Sequence, residues 1–136
     1  MTGGAYFEYR YSVVSAVRLR YAYVHADSLN ANFYRDHVIQ GWLEHKLDRF
    51  GLFASPELRF RRYAGFTAVM GSSTDREDVI AAAAVGARYQ FRNWVTASAQ
   101  YRVVSDSTDF RVTQGGEMLD PSYVTHEVFA GVRLAL

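Results

Sequence analysis

Arginines in this 136-residue chain recur two positions apart, as in Arg18 and Arg20 or Arg59 and Arg61. In an extended strand, residues two apart share a face, so this spacing sets guanidinium groups side by side. Arg10, Arg18, Arg20, Lys46, Arg59, Arg61, Arg88, Arg102 and Arg133 all fall on polar positions of alternating segments, against only Glu8, Glu44, Glu57 and Glu127. A guanidinium fork grips carboxylate or phosphate at two points, and a ring of such groups in a water-filled channel draws anions in. The expected chemistry is therefore binding or conduction of anionic solutes or polymers. The four glutamates allow a second outcome, in which ion pairs fill a narrow barrel as a hydrogen-bonded plug. Nine bases against four acids leave positive potential in either case.

Chemistry of other kinds finds little footing. His25, His37, His45 and His126 show no metal-ligand spacing, and the chain has no cysteine. A rim site built from His25, Ser28 and Asp106 is the one catalytic arrangement the residue types offer, and the reading adopted is that the protein is not an enzyme. No cofactor and no metal are expected: the acidic group Asp75, Glu77 and Asp78 could take a divalent cation together with lipopolysaccharide phosphates or with Asp106 and Asp109, and the reading adopted is a solvated loop. Nucleic acid is not an expected partner either. The arginines and the large apolar residues lie on opposite strand faces, unlike a base-stacking platform.

The elements that carry these side chains read as β-strands. Val128, Ala130, Val132, Leu134 and Leu136 alternate to the last residue, with Glu127, Gly131 and Arg133 on the other face. Val79 to Phe91 alternates likewise and turns at Arg92-Asn93 into a partner strand, Trp94 to Asp106. The same hairpin recurs eighty positions earlier, where Tyr9, Tyr11, Tyr21 and Val24 match Tyr89, Phe91, Tyr101 and Val104, so the corresponding turn falls at Ser12-Val13, the alternative being a single long strand. A third hairpin runs from about His37 through a turn at Asp48 to Gly51 and back to about Tyr63, with Pro56 marking a bulge or weakened pairing. Short turns thus interleave with long polar loops at about Ala26 to Asp36, Thr67 to Asp78 and Ser105 to Ser122. These loops are expected to hold most of the acids, including Asp36, Asp78 and Asp106, which separates negative loops from positive strand faces.

Ten Tyr and nine Phe with two Pro favour pleated structure, and no run approaches the roughly eighteen apolar residues of a membrane helix. A barrel crosses a membrane without one, since lipid-facing and lumen-facing residues alternate. Tyr21, Tyr23, Tyr63, Tyr89, Phe91, Trp94 and Tyr101 fall near predicted strand ends, where interfacial girdles would sit. The fold class expected is all-β: an antiparallel up-and-down transmembrane β-barrel or partial barrel, about seven strands, in one domain over residues 1–136. A closed single-chain barrel of this type needs an even count. The odd number, together with an N-terminus that has no basic or apolar leader pattern, leads to the expectation that the chain is the C-terminal portion of a larger barrel.

Gly131-x-x-Leu134-x-Leu136 resembles the C-terminal signal that the barrel-assembly machinery reads in bacterial outer-membrane proteins, with Leu136 where an aromatic is preferred. The chain from about Tyr6 to Leu136, with its Tyr89-x-Phe91-Arg92-Asn93-Trp94 strand pair and final Gly131-x-Arg133 strand, resembles the C-terminal part of porin-like barrels associated with surface polysaccharide export. That resemblance implies a passive role in the Gram-negative outer membrane as pore, exporter part or scaffold. Its partners would be outer-membrane lipid, the assembly machinery, and an anionic solute or polysaccharide. Two alternatives share the periodicity: a soluble antiparallel β-domain, lipocalin-like or sandwich, that binds a small apolar ligand, and a small non-conducting barrel that serves as membrane anchor or adhesin.

Overall fold

The computed structural model describes residues 2–29, 31–69, 72–114 and 117–135. They form one open antiparallel sheet with no helix among them. Its strands are β1 (Gly3–Ser12), β2 (Ser15–Asp27), β3 (Phe33–Leu47), β4 (Phe50–Val69), β5 (Ser72–Arg92), β6 (Val95–Thr108) and β9 (Tyr123–Leu134), each beside its sequence neighbour. Two three-residue strands, β7 (Val112–Gln114) and β8 (Glu117–Leu119), pair with each other in the connection from β6 to β9. The edges β1 and β9 run in the same direction, because six antiparallel steps separate them.

Tight turns join the strands at one end of the sheet, called the turn end below. Ser12 pairs with Ser15, Leu47 with Phe50 and Arg92 with Val95, so the two-residue turns are Val13-Val14, Asp48-Arg49 and Asn93-Trp94. The first and last lie one residue beyond the positions expected from the sequence, and the middle turn is shorter than its expected four residues. Asp48 takes a left-handed φ of 50°, which short polar side chains tolerate by bonding their own backbone. The internal repeat is realised in detail. Arg10 pairs with Ala16 and Gln90 with Thr96, eighty positions on, and the same register shift follows each pair before the turn.

The expected long loops contract. Residues 28–32 alone separate β2 from β3, and the expected loop from Thr67 to Asp78 is largely occupied by β4 and β5, the longest strands at 20 and 21 residues. Arg61 opposite Asp78 and Arg62 opposite Glu77 explain the extension, since opposite charges across a ladder stabilise pairing. Only the β6–β9 connection remains long, and β6 itself runs to Thr108. Pro56 keeps the β3–β4 register without a bulge, while direct pairing lapses beside it between Gln40↔Glu57 and Leu43↔Ala54. A Cβ on Gly41 would lie 3.0 Å from the Pro56 ring, so glycine there admits the proline.

Candidate functional site: the charged face of the sheet

Register assigns every strand residue to one of two faces. One carries Val17, Leu19 and Tyr21 on β2, Ile39, Leu43 and Leu47 on β3, Leu58 and Phe60 on β4, Val79 and Val85 on β5, and Val128 and Val132 on β9. These side chains are open: Leu43 is 46% and Val85 54% exposed. The substantial contacts are all between neighbouring strands, and Ala84 is the buried apolar residue among those described. The apolar band has definite limits. Arg35, Arg62 and Glu77 form one cross-strand row that closes it at the loop end, and below them it spans 37–47 on β3, 50–60 on β4 and 79–89 on β5.

The opposite face holds all thirteen charged residues singled out from the sequence, namely Arg10, Arg18, Arg20, Lys46, Arg59, Arg61, Arg88, Arg102, Arg133, Glu8, Glu44, Glu57 and Glu127. Each glutamate has a basic partner. Glu8 accepts from Arg10 at 2.7 Å and Arg18 at 3.1 Å, Glu57 from Arg59 at 2.9 Å, and Glu127 from Arg102 at 3.0 Å. Glu44 pairs with Arg88, two strands away, and lies 4.0 Å from Lys46. Arg88 reaches it across Gly51, where an added Cβ would stand 2.8 Å from the arginine Nε. Of the terminal signal residues, Gly131 shares the polar face and Leu134 the apolar one, while Leu136 lies outside the described residues.

Three acids expected in loops are strand residues on this face: Asp36 on β3, Asp78 on β5 and Asp106 on β6. Asp36 and Asp78 are 3% and 2% exposed, and salt bridges hold them there. Arg61 donates to both Asp36 oxygens at 2.7 and 2.8 Å and to the Tyr63 hydroxyl at 3.2 Å, while its guanidinium lies 4.7 Å from the Tyr34 ring centre. Arg76 bonds Asp78 at 2.8 Å. The separation of acidic loops from basic strands is therefore incomplete. The loop end of the charged face is a dense, nearly neutral lattice, and the surplus of positive charge lies toward the turn end.

Between those zones the sequence reading missed an aromatic pair. Trp42 and Phe53 stack at 5.1 Å with planes 7° apart, over a hollow of about 170 Å³ also bounded by Gln40, Glu57, Gln100 and Arg102. Phe53 lies where a Cβ on Gly86 would be, 2.3 Å from its Cζ, and Ala82 and Ala84 continue the shallow strip along β5. The signal available was parity: Trp42 and Phe53 are out of phase with the aliphatic residues of their strands.

Tyr21, Tyr23, Tyr89, Phe91 and Trp94 sit near the limits of the apolar band, Tyr89 and Phe91 edge to face at 4.8 Å. Tyr63 instead faces the charged lattice, and Tyr101 shares a row with Leu43 and Val85 near mid-band. His37 and His126 bond the hydroxyls of Tyr21 at 2.8 Å and Tyr101 at 2.6 Å, and His45 bonds Ser15. His25 and Asp106 occupy opposite faces, so the catalytic arrangement considered for them is not assembled. Among the described residues, no cluster of His, Cys, Asp or Glu could hold a metal ion. In the β6–β9 connection, hydrogen bonds from Ser122 hold the Asp120 carboxyl below its ordinary range, and Arg111 pairs with it at 3.0 Å.

Comparison with protein families, curated proteins and solved structures returned no match.

Proposed function

We propose that this chain forms part of the wall of a bacterial outer-membrane β-barrel, with its apolar face against lipid and its charged face lining a lumen that favours anionic solutes or polymers. The observation that carries the reading is the height of the apolar band. About eleven residues per strand, at about 3.3 Å per residue and a tilt of roughly 40°, give about 25 Å, the height of the oily belt on such barrels. Covering each Leu, Phe or Val side chain is worth about 1.5–3 kcal/mol, so a band of this size in plain water would be strongly driven to associate. Hydrocarbon supplies that cover with no second protein layer. Closing the sheet antiparallel takes an odd number of further strands between β9 and β1, which run the same way.

A second reading has support in the pairing of Glu8, Glu44, Glu57 and Glu127: the charged face packs on itself, and the barrel anchors or adheres without conducting. One experiment tests both. Refolded protein in planar bilayers should show discrete conductance steps with anion-over-cation selectivity. Stable insertion without conductance favours the anchor, and a monodisperse species in detergent-free buffer overturns the membrane reading altogether.

A further inference from the structure

At the turn end of the charged face, Lys46, Arg49, Arg88 and Arg133 converge on a hollow of about 350 Å³, with Gln90 and Thr96 in its wall. The four cations come from β3, the β3–β4 turn, β5 and β9, so the sheet brings together groups far apart in sequence. Among the described residues, two carboxylates answer them. Glu44 is shared between Arg88 and Lys46, and Asp48 lies in the turn beside Arg49. Among the described residues, Arg49 and Arg133 form no ion pair. The loop end of the same face is different, because there Arg59, Arg61 and Arg76 meet Glu57, Asp36 and Asp78 in direct pairs.

We infer that the turn-end hollow is a binding site for a tetrahedral oxyanion, such as the phosphoryl group of a larger solute. Arg49 and Arg133 are its free two-point donors, and Glu44 fixes Arg88 and Lys46 beside them. Two uncompensated cations match a dianion in charge. The site also holds neutral donors, the Thr96 hydroxyl and the Gln90 amide, which take up oxygens that a carboxylate would lack. A strand-end position suits capture, because the surplus charge lies at one mouth of the face and the balanced lattice at the other. Anions are thus drawn toward the turn end and held there. This deepens the lumen reading and rests on it for the solute's route, not for the binding itself.

The test is calorimetric titration of the full chain, refolded in detergent micelles, with inorganic phosphate at low ionic strength, and sodium chloride of equal ionic strength as reference. Saturable phosphate binding is expected. Arg49→Gln with Arg133→Gln should weaken it by about tenfold or more, and Asp48→Asn should strengthen it. Arg35→Gln, remote on the apolar side beside Phe33, should leave it unchanged. Should the double variant fail to fold, Arg133→Lys keeps the charge, loses the fork and should still weaken binding by a few fold. Phosphate behaving as chloride does, or binding unaltered in the variants, overturns the site. Bound phosphate in a protein that conducts nothing supports the site while removing the pore, and conductance without phosphate binding does the reverse.

Discussion

Arg61 clasps Asp36 through two parallel hydrogen bonds, at 2.7 and 2.8 Å, directly across the β3–β4 ladder. Arg59 lies 3.7 Å from the same carboxylate but pairs more closely with Glu57, at 2.9 Å, so Arg61 is the cation that depends on Asp36. Asp36→Ala would leave Arg61 without its carboxylate in a poorly hydrated place, while Arg59 keeps Glu57 at 2.9 Å, at a cost of about 3 kcal/mol. Removing Arg61 as well should restore part of that loss. Urea unfolding of the single and double variants in detergent measures the coupling, and strict additivity would show that the clasp contributes nothing.

The apolar face makes a prediction that depends on solvent. Leu43→Arg places a charge in the middle of the band, which at a bilayer midplane costs about 2–4 kcal/mol. Gln100→Arg, at nearly the same level on the charged face, should cost far less. Folding titrations in phospholipid vesicles compare them. Equal losses would mean that the two faces meet the same surroundings.

Gly86 is a matter of space. A Cβ there would stand 2.3 and 2.6 Å from the Phe53 ring and 2.8 Å from the Ala99 carbonyl oxygen. Gly86→Ala should push Phe53 off Trp42 and destabilise by about 1–3 kcal/mol, the usual cost of overpacking. With Trp94→Phe as background, Trp42 is the remaining indole and its emission reports the displacement. An unchanged spectrum in a folded variant would show that the stack does not depend on the glycine.

Much of this architecture is legible in the sequence, and what escapes it does so for physical reasons. Period-two alternation assigns Arg88 and Val85 to their faces, and the eighty-residue repeat places two matching turns to within one residue. Both turns of the repeat lie one residue beyond their expected positions, at Val13-Val14 and Asn93-Trp94, because the register shift before each moves the chain on by one residue. Asp36, Asp78 and Asp106 read as loop residues because isolated acids disfavour strands, yet Arg61 and Arg76 opposite or beside the first two reverse that preference. Such compensation is a property of register between distant segments, which local pattern does not contain. The same holds for the hollow at the turn end, whose cations are separated by as many as 87 positions, from Lys46 to Arg133.

Asp48 at φ 50° predicts an asymmetry among its substitutions. Gly or Asn should be tolerated, whereas Val, which resists a left-handed backbone, should cost about 1–2 kcal/mol. The damage should be local. Amide exchange should quicken near Leu47 and Phe50, the pair that closes the turn, and stay unchanged at the Asn93-Trp94 turn. Uniform acceleration across the sheet would mean that strain at this turn lowers the stability of the whole structure.

In the proposed lumen, ion selectivity should follow the unpaired cations rather than the count of arginines. Among the described residues Arg20 forms no ion pair, whereas Arg102 is tied to Glu127 at 3.0 Å. A paired guanidinium contributes little net field beyond about a Debye length, close to 10 Å at 0.1 M salt, while an unpaired one acts at full charge on a passing ion. Arg20→Glu should therefore lower the anion-over-cation permeability ratio several fold, since it reverses an uncompensated charge. Exchanging Arg102 and Glu127 for one another should leave the ratio nearly unchanged, because the pair and its position persist. Reversal potentials across a salt gradient give both numbers. Equal effects from the two changes would mean that the face acts through its total charge, and that the pairing seen along it has no part in choosing the ion.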